Sequence, residues 1–344
     1  GEEVYARAKP NVKQQVLDPN TLLPSESAFD EMFDDALNAV VLEMVRGAKG
    51  HPNMNMSDLL ASGFAIGTKG SHSALRKYLR FNHQGEKLEP GKSTKMAWMY
   101  TTSVSKFLEL LNVSDDVHVT GTGVNKYEAG KLRLLLPGPL FHWLLESVAL
   151  LSADDAVYRS VGTLNLNLDR LEDLNNQIMR LNLLRSGATM VASDYKDFNI
   201  LHECKRMSRL WSSFADALGV PSVGKIDLDT DAQTAAAICS RKLAVMVFNL
   251  HGRGNLSDDK LVHLIRGLWS GWRSTSYINT VFNHCYHHVV NSAVARWYPG
   301  AGSVQQTAVL GDDSIAIGQD EYTALAYLNS LNLAGLEAQA SKQL

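Results

Sequence analysis

The stretch "AVLGDDSIAIG", residues 308–318, sets two adjacent aspartates behind a glycine and between two apolar runs. The flanking residues read as two short strands, and Gly311, Asp312 and Asp313 as the tight turn joining them. Such a tip is an ordinary solvated turn unless something neutralises its charge. Gly-Asp-Asp arises by chance in roughly one chain in ten of this size. Its meaning therefore depends on the surrounding segments.

Upstream, "GATMVASDYKDFN" reads as a strand ending at Asp194, and "LHECKRMSRLWSSFADALG" as an amphipathic helix closed by Gly219 and Pro221. The helix is apolar at Leu201, Cys204, Leu210, Trp211, Phe214 and Leu218. A second helix is predicted from Trp272 towards Val290, then the hairpin, then a helix capped by Asp320. Strand, helix, helix, hairpin, helix is an α+β order, with helices packed on one face of a small antiparallel sheet. If the Asp194 strand neighbours the hairpin, Asp194 and Asp312 converge. Two convergent carboxylates suit a pair of divalent cations, because Mg²⁺ takes few protein ligands and completes its shell with water and phosphate oxygens. Such a pair can bridge the attacking and leaving oxygens of an in-line phosphoryl transfer.

Two further segments bear on this chemistry. Thr275, Asn279 and Asn283 fall at i, i+4 and i+8 of the predicted helix, a neutral polar stripe able to recognise sugar hydroxyls or simply to face solvent. Ile278, Val281, Phe282, Cys285 and Val289 form the apolar face, which must be buried. In "NKYEAGKLRLLLPG", basic and apolar residues alternate, so Lys126, Lys131 and Arg133 can present a basic strand face to a triphosphate, or belong to an ordinary exposed strand.

Composition sets the frame. With 344 residues, 45% of them hydrophobic, the chain can bury a sizeable core. Its net charge of −3 argues against a surface coated for indiscriminate nucleic-acid binding. A local basic stretch at 69–95 is either a solvated face or a phosphate-tracking surface. No run has the length of a membrane span, and the N-terminus lacks the pattern of a signal peptide. Cys204, Cys239 and Cys285 are odd in number and widely spaced, which predicts free buried thiols.

Taken in order, "NKYEAGKLRLLLPG", "SDYKDFN", "LWSGWRSTSYINTVFN", "LGDDSIAIG" and "EAQASKQL" resemble motifs F, A, B, C and D of viral RNA-dependent RNA polymerases, most of all those of totivirus-like double-stranded RNA viruses. The resemblance spans roughly residues 119 to 344, and is most specific at Ser270, Gly271, Thr275 and Asn279 together with Gly311, Asp312 and Asp313. It implies a right-hand polymerase fold of mostly helical fingers and a palm with a small antiparallel sheet packed by helices. Residues 1–30 are then an extended N-terminal arm, 31–185 fingers with motif F at 119–138, and 186–344 the palm with a fingers insertion around 220–265. The resemblance also implies that Asp194 and Asp312, assisted by Asp313, hold two Mg²⁺ ions, with Mn²⁺ as a substitute. Lys126 and Arg133 contact the nucleotide phosphates. Ser270, Gly271, Thr275 and Asn279 handle template and ribose, and Lys342 protonates pyrophosphate. Either Asn199, five positions after Asp194, or Asp197 supports ribose selection. The implied partners are template and product RNA, ribonucleoside triphosphates and a viral capsid protein, in the virion interior and the host cytoplasm, with no membrane. The primer grip and thumb are not in the sequence, so fingers and palm of a larger polypeptide are expected.

Three other readings compete. "GEKLEPGKST" at 85–94 resembles a P-loop, but five residues separate its glycines where the motif has four. His284 and His288 have a spacing that zinc accepts, without the usual companions. A catalytically inert RNA-binding or capsid-anchoring module with a polymerase-like fold is the alternative to an enzyme. Reverse transcription fits less well, since Asn279 suits a ribonucleotide.

Overall fold

The computed structural model describes residues 2–10, 13–48, 53–61, 105, 119–121, 124–128, 131–135, 138, 140–150, 153, 170–195, 197–219, 229–249 and 261–338. The chain opens with α1 (Glu2–Arg7), the strands β1 (Val16–Leu17) and β2 (Pro24–Ser25), α2 (Glu26–Gly47) and α3 (Met56–Ala61). Next come β3 (Val119–Gly121), the hairpin strands β4 (Val124–Glu128) and β5 (Lys131–Leu135), α4 (Leu140–Leu150) and α5 (Arg170–Arg185). There follow β6 (Thr189–Ser193), α6 (Phe198–Leu201), α7 (Cys204–Leu218), α8 (Ala232–Ala244), β7 (Met246–Asn249) and β8 (Leu261–Leu264). The last elements are α9 (Thr275–Trp297), β9 (Val304–Leu310), β10 (Asp313–Gly318) and α10 (Glu321–Leu333).

The expected small antiparallel sheet is present, in the order β6-β10-β9, with helices packed on it. Alternation orients it. Val191, Ser193 and Tyr195 are buried while Met190 is exposed, and along β10 Ser314 and Ala316 are buried while Asp313 is exposed. The buried side meets α9 and α10. Gly318 permits the approach of α10, because a Cβ there would lie 2.7 Å from the backbone nitrogen of Ala324. Asp320 caps α10 as its sequence predicts, accepting from the Thr323 N–H at 2.7 Å.

Helix α9 is the axis of the core. Ile278, Val281, Phe282, Cys285 and Val289 are fully buried, as the apolar stripe requires. Phe33 packs edge-on against Phe282 with ring centroids 5.1 Å apart, and Tyr286 lies beside it. Each such ring contributes about 1.5–3 kcal/mol by leaving water. Between α2 and α7, Arg206 is buried with its guanidinium 4.9 Å from the Phe29 ring centroid and 2.6 Å from Asp30. All three cysteines are free and buried. Among the described residues no helix is long and apolar enough to cross a membrane.

Two findings depart from expectation. The first thirty residues are not an extended arm. Arg7 is buried and donates to the Leu268 carbonyl at 3.3 Å, its own carbonyl accepts from the Ile265 and Arg266 N–H groups, and Val16 is fully buried. The prolines interrupt this segment without detaching it, since partners far along the chain satisfy its backbone. A second sheet, β3-β7-β8, pairs β3 in parallel with β7 and was not foreseen.

Candidate active site

The acidic corner follows from strand register. Ser193 of β6 and Ser314 of β10 form the last registered pair, and Asp194 and Asp313 follow directly beyond it, on the face turned away from the core. Asp312 occupies the turn beside them. Gly311 supplies that turn with φ of +63°, a left-handed conformation costly for residues with a Cβ. Asp312 and Asp313 are exposed and Asp194 is half-buried. Asp194 and Asp313 line a cavity of about 440 Å³ with Asp173 and Arg180 of α5. Among the described residues, no three His, Cys, Asp or Glu side chains are gathered closely enough to hold a metal ion unaided.

Beneath this charge lies a layer of neutral hydrogen bonds. The Tyr195 hydroxyl donates to Asn283 Oδ1 at 3.1 Å, and Asn283 Nδ2 donates to the carbonyls of Gly311 at 3.1 Å and Asp313 at 3.4 Å. Thr280 Oγ1 accepts from the Gly311 N–H at 3.0 Å. One helix thus holds both the turn and the residue after Asp194. Burial pushes the Tyr195 phenol well above its ordinary range, so it stays a neutral donor.

One turn back along α9, Asn279 is buried. Its Nδ2 donates to Asn199 Oδ1 at 2.8 Å, and its Oδ1 lies 2.8 Å from His202 Nε2. His202 Nδ1 in turn lies 3.3 Å from the Tyr286 hydroxyl. Burial depresses the His202 pKa to about 3; the hydrogen bond with Asn279 opposes it, and the Arg206 and Arg7 guanidiniums add smaller depressions. The ring is neutral at ordinary pH.

The loop before α9 is pinned at its base. Thr275 Oγ1 donates to the carbonyls of Trp269 at 2.8 Å and Trp272 at 3.0 Å. Ser274, the residue preceding the helix, makes no capping bond with its own side chain. Its hydroxyl donates to the fully buried Glu146 of α4, and its N–H reaches the same carboxylate at 3.3 Å. A carboxylate from another helix therefore caps α9, where the helix dipole favours negative charge. Ser270 and Gly271 stay exposed between these anchors.

The remaining predicted residues are placed as follows. Lys126 is the register partner of Arg133, and Lys131 of Glu128, across the β4–β5 hairpin. Asp197 is exposed with φ of +51° at the start of α6 and makes no side-chain capping bond. Of the two candidates for ribose selection, Asn199 is the one bonded to Asn279. Lys342, the basic stretch at 69–95 and the P-loop-like segment lie outside the described residues. In the histidine cluster, His287 is buried and pairs with the Tyr327 hydroxyl at 2.8 Å, while His288 is exposed. Sequence reasoning missed Tyr195, Thr280, His202, Tyr286 and Glu146 as parts of the site. Only their neighbourhood to the motifs in sequence or in space could have drawn notice to them.

Comparison with known proteins gives a consistent result. A family model described as viral RNA-directed RNA polymerase matches residues 73–344. The chain is 28% identical over 233 residues to an RNA-directed RNA polymerase of Penicillium chrysogenum virus, covering 67% of this chain and 19% of that protein. It is 22% identical over 337 residues to a probable RNA-directed RNA polymerase of Saccharomyces cerevisiae virus L-A, covering 96% of this chain and 20% of that protein. The chain thus spans about a fifth of the length of these relatives.

Proposed function

Because the chain belongs to the viral RNA-directed RNA polymerase family, we propose that it is the nucleotidyl-transfer core of an enzyme that joins ribonucleotides on an RNA template. The observation that carries this reading is the β6–β10 register, which ends one residue before Asp194 and Asp313, so that both line one cavity next to the turn bearing Asp312. Carboxylates at the adjoining ends of β6 and β10 suit Mg²⁺, and Mn²⁺ as a substitute, since both accept few protein carboxylates and complete their shells with water and phosphate oxygens. Asp194, Asp312 and Asp313 would hold two such ions, which when bound neutralise charge at the reacting phosphate and make the 3′ hydroxyl more acidic.

The chain's own residues supply binding and orientation. Lys126, Lys131 and Arg133 hold the triphosphate, with arginine offering a planar fork to phosphate oxygens. Ser270 and Gly271 meet the template on a loop anchored through Thr275, and Asn279 with Asn199 reads the ribose. Asp197, exposed beside them, is available to the substrate rather than to the core. Lys342 delivers the proton to departing pyrophosphate. In this reading residues 31–185 act as fingers and 186–344 as palm. RNA template, RNA product and ribonucleoside triphosphates are the ligands, and a capsid protein is the neighbour inside the virus particle in the host cytoplasm.

The test measures incorporation of labelled ribonucleotides on added RNA by the full-length protein, as wild type and as Asp312→Ala. A loss of at least a thousandfold is expected. Equal incorporation by the two overturns the assignment. A wild type that binds RNA but incorporates nothing leaves the inert binding module as the better reading.

A further inference from the structure

The polar chain running inward from Asn199 ends on groups that no substrate can reach. His202, at the inner end, is fully buried and packs edge-on against Phe198 and Phe282, with ring centroids 4.6 and 4.8 Å away. An imidazole sealed among aromatic rings can neither transfer a proton to the substrate nor bind a metal there. Its two nitrogens are both engaged, one by Asn279 and one by Tyr286.

The direction of every hydrogen bond in this chain is fixed from its far end. The Arg206 guanidinium stands near the Tyr286 hydroxyl, as does the amide of Gln14, whose oxygen already accepts from Arg206. A guanidinium only donates, and its positive charge draws the phenolic oxygen and repels the proton. The proton therefore points to His202 Nδ1, which accepts it. A neutral imidazole with an accepting Nδ1 must carry its own proton on Nε2. Nε2–H then donates to Asn279 Oδ1, so the amide of Asn279 cannot turn over, and its Nδ2 is aimed at Asn199 Oδ1. That oxygen keeps one lone pair, and the donor Asn199 offers a ligand is its amide N–H₂.

We propose that His202 is a positioning residue for sugar selection, fixing the Asn279 amide so that the Asn199–Asn279 pair presents a hydrogen-bond donor to the 2′ oxygen of a ribonucleoside triphosphate. The inference rests on the polymerase reading above and extends it to residues that never touch substrate. A 2′-deoxynucleotide lacks the acceptor and leaves a desolvated donor unpaired, which is the kind of mismatch that discriminates strongly. An aspartate at position 199 would present only acceptors, so asparagine here and histidine beneath it form one device.

The test compares kcat/KM for ribonucleoside and 2′-deoxyribonucleoside triphosphates in the full-length protein. His202→Phe keeps a planar ring and removes both nitrogens. It should lower the ribo-to-deoxyribo ratio at least tenfold, mainly through a higher KM for the ribonucleotide. His202→Gln, whose amide N–H can still donate to Asn279 Oδ1, should recover most of the ratio. Tyr286→Phe frees the imidazole to place its proton on either nitrogen, and should lower the ratio about threefold, in line with loss of a single orienting bond. General weakening of the fold lowers incorporation of both nucleotide types together and leaves the ratio alone. An unchanged ratio in a folded His202→Phe protein overturns the proposal. Where that variant is not recovered folded, an unchanged ratio in Tyr286→Phe does so. A wild type without any ribonucleotide incorporation overturns the polymerase reading as well, which separates the two failures.

Discussion

The two faces of the β6-β10-β9 sheet differ sharply at one corner. The outer face carries Asp194, Asp312 and Asp313, acidic and at least partly open to solvent. The inner face carries Tyr195 on the same strand end, and α9 meets it with Asn283 and Thr280, all buried and neutral. Exposed charge is concentrated on one side and buried hydrogen bonding on the other. An exposed carboxylate is cheap to keep, because water solvates it. A buried amide is costly unless every bond is made. Substitutions on the two faces should therefore separate activity from stability.

The largest expected separation lies on the outer face. Alongside its thousandfold loss of incorporation, Asp312→Ala should change the unfolding free energy by no more than about 0.5 kcal/mol, measured by denaturant titration. A large loss of stability would erase the contrast between the faces. Acid should act on the interior instead. His202 and His287 are both depressed to about 3, His287 by burial first and then by the charges of His284 and His288. An unfolded histidine takes up its proton near pH 6.5, while the folded one does not until about pH 3. Stability contributed at neutral pH is therefore lost as pH falls below about 6.5, at about 1.4 kcal/mol per unit for each ring. Melting temperature measured from pH 7 to 5 should fall, and should fall less steeply in His287→Asn.

On the inner face, Asn283→Ala leaves the Tyr195 hydroxyl and the Gly311 carbonyl without their partner, and should destabilise by about 2 kcal/mol. Incorporation should drop with it, because the turn bearing Asp312 loses an anchor. A variant of normal stability would show that the turn is held by Thr280 alone. The smallest effect belongs to Gly311→Ala. Nothing lies within 4 Å of the Cβ that would be added, so only the left-handed backbone is penalised, by about 1 kcal/mol.

Much of this corner was legible in the sequence. Aspartate behind a strand, glycine in a turn and a polar stripe on an apolar helix each carry a local physical signature, and the chain folds accordingly at 189–193, 275–297 and 304–318. What escaped were relations without such a signature. Asn283 was visible only as the third member of a stripe, and whether it would face solvent or hold Gly311 depends on where the hairpin docks. Glu146 reads as one acid in an apolar helix until Ser274 is set beside it. The N-terminal thirty residues look detached because their prolines are local, whereas the contact of Arg7 with Leu268 spans 261 positions of the chain. The parallel pairing of β3 with β7 fails to announce itself for the same reason.

The order β6-β10-β9 places the last strand made in the middle. As the polypeptide leaves the ribosome, β6 emerges with a hydrogen-bonding edge that nothing can satisfy until Gly318 follows. At ordinary translation speeds that wait is on the order of ten seconds, long enough for an unpaired edge to meet another nascent chain. Synthesis slowed within this interval should favour misassembly, and chaperones that shield strand edges should matter most during it.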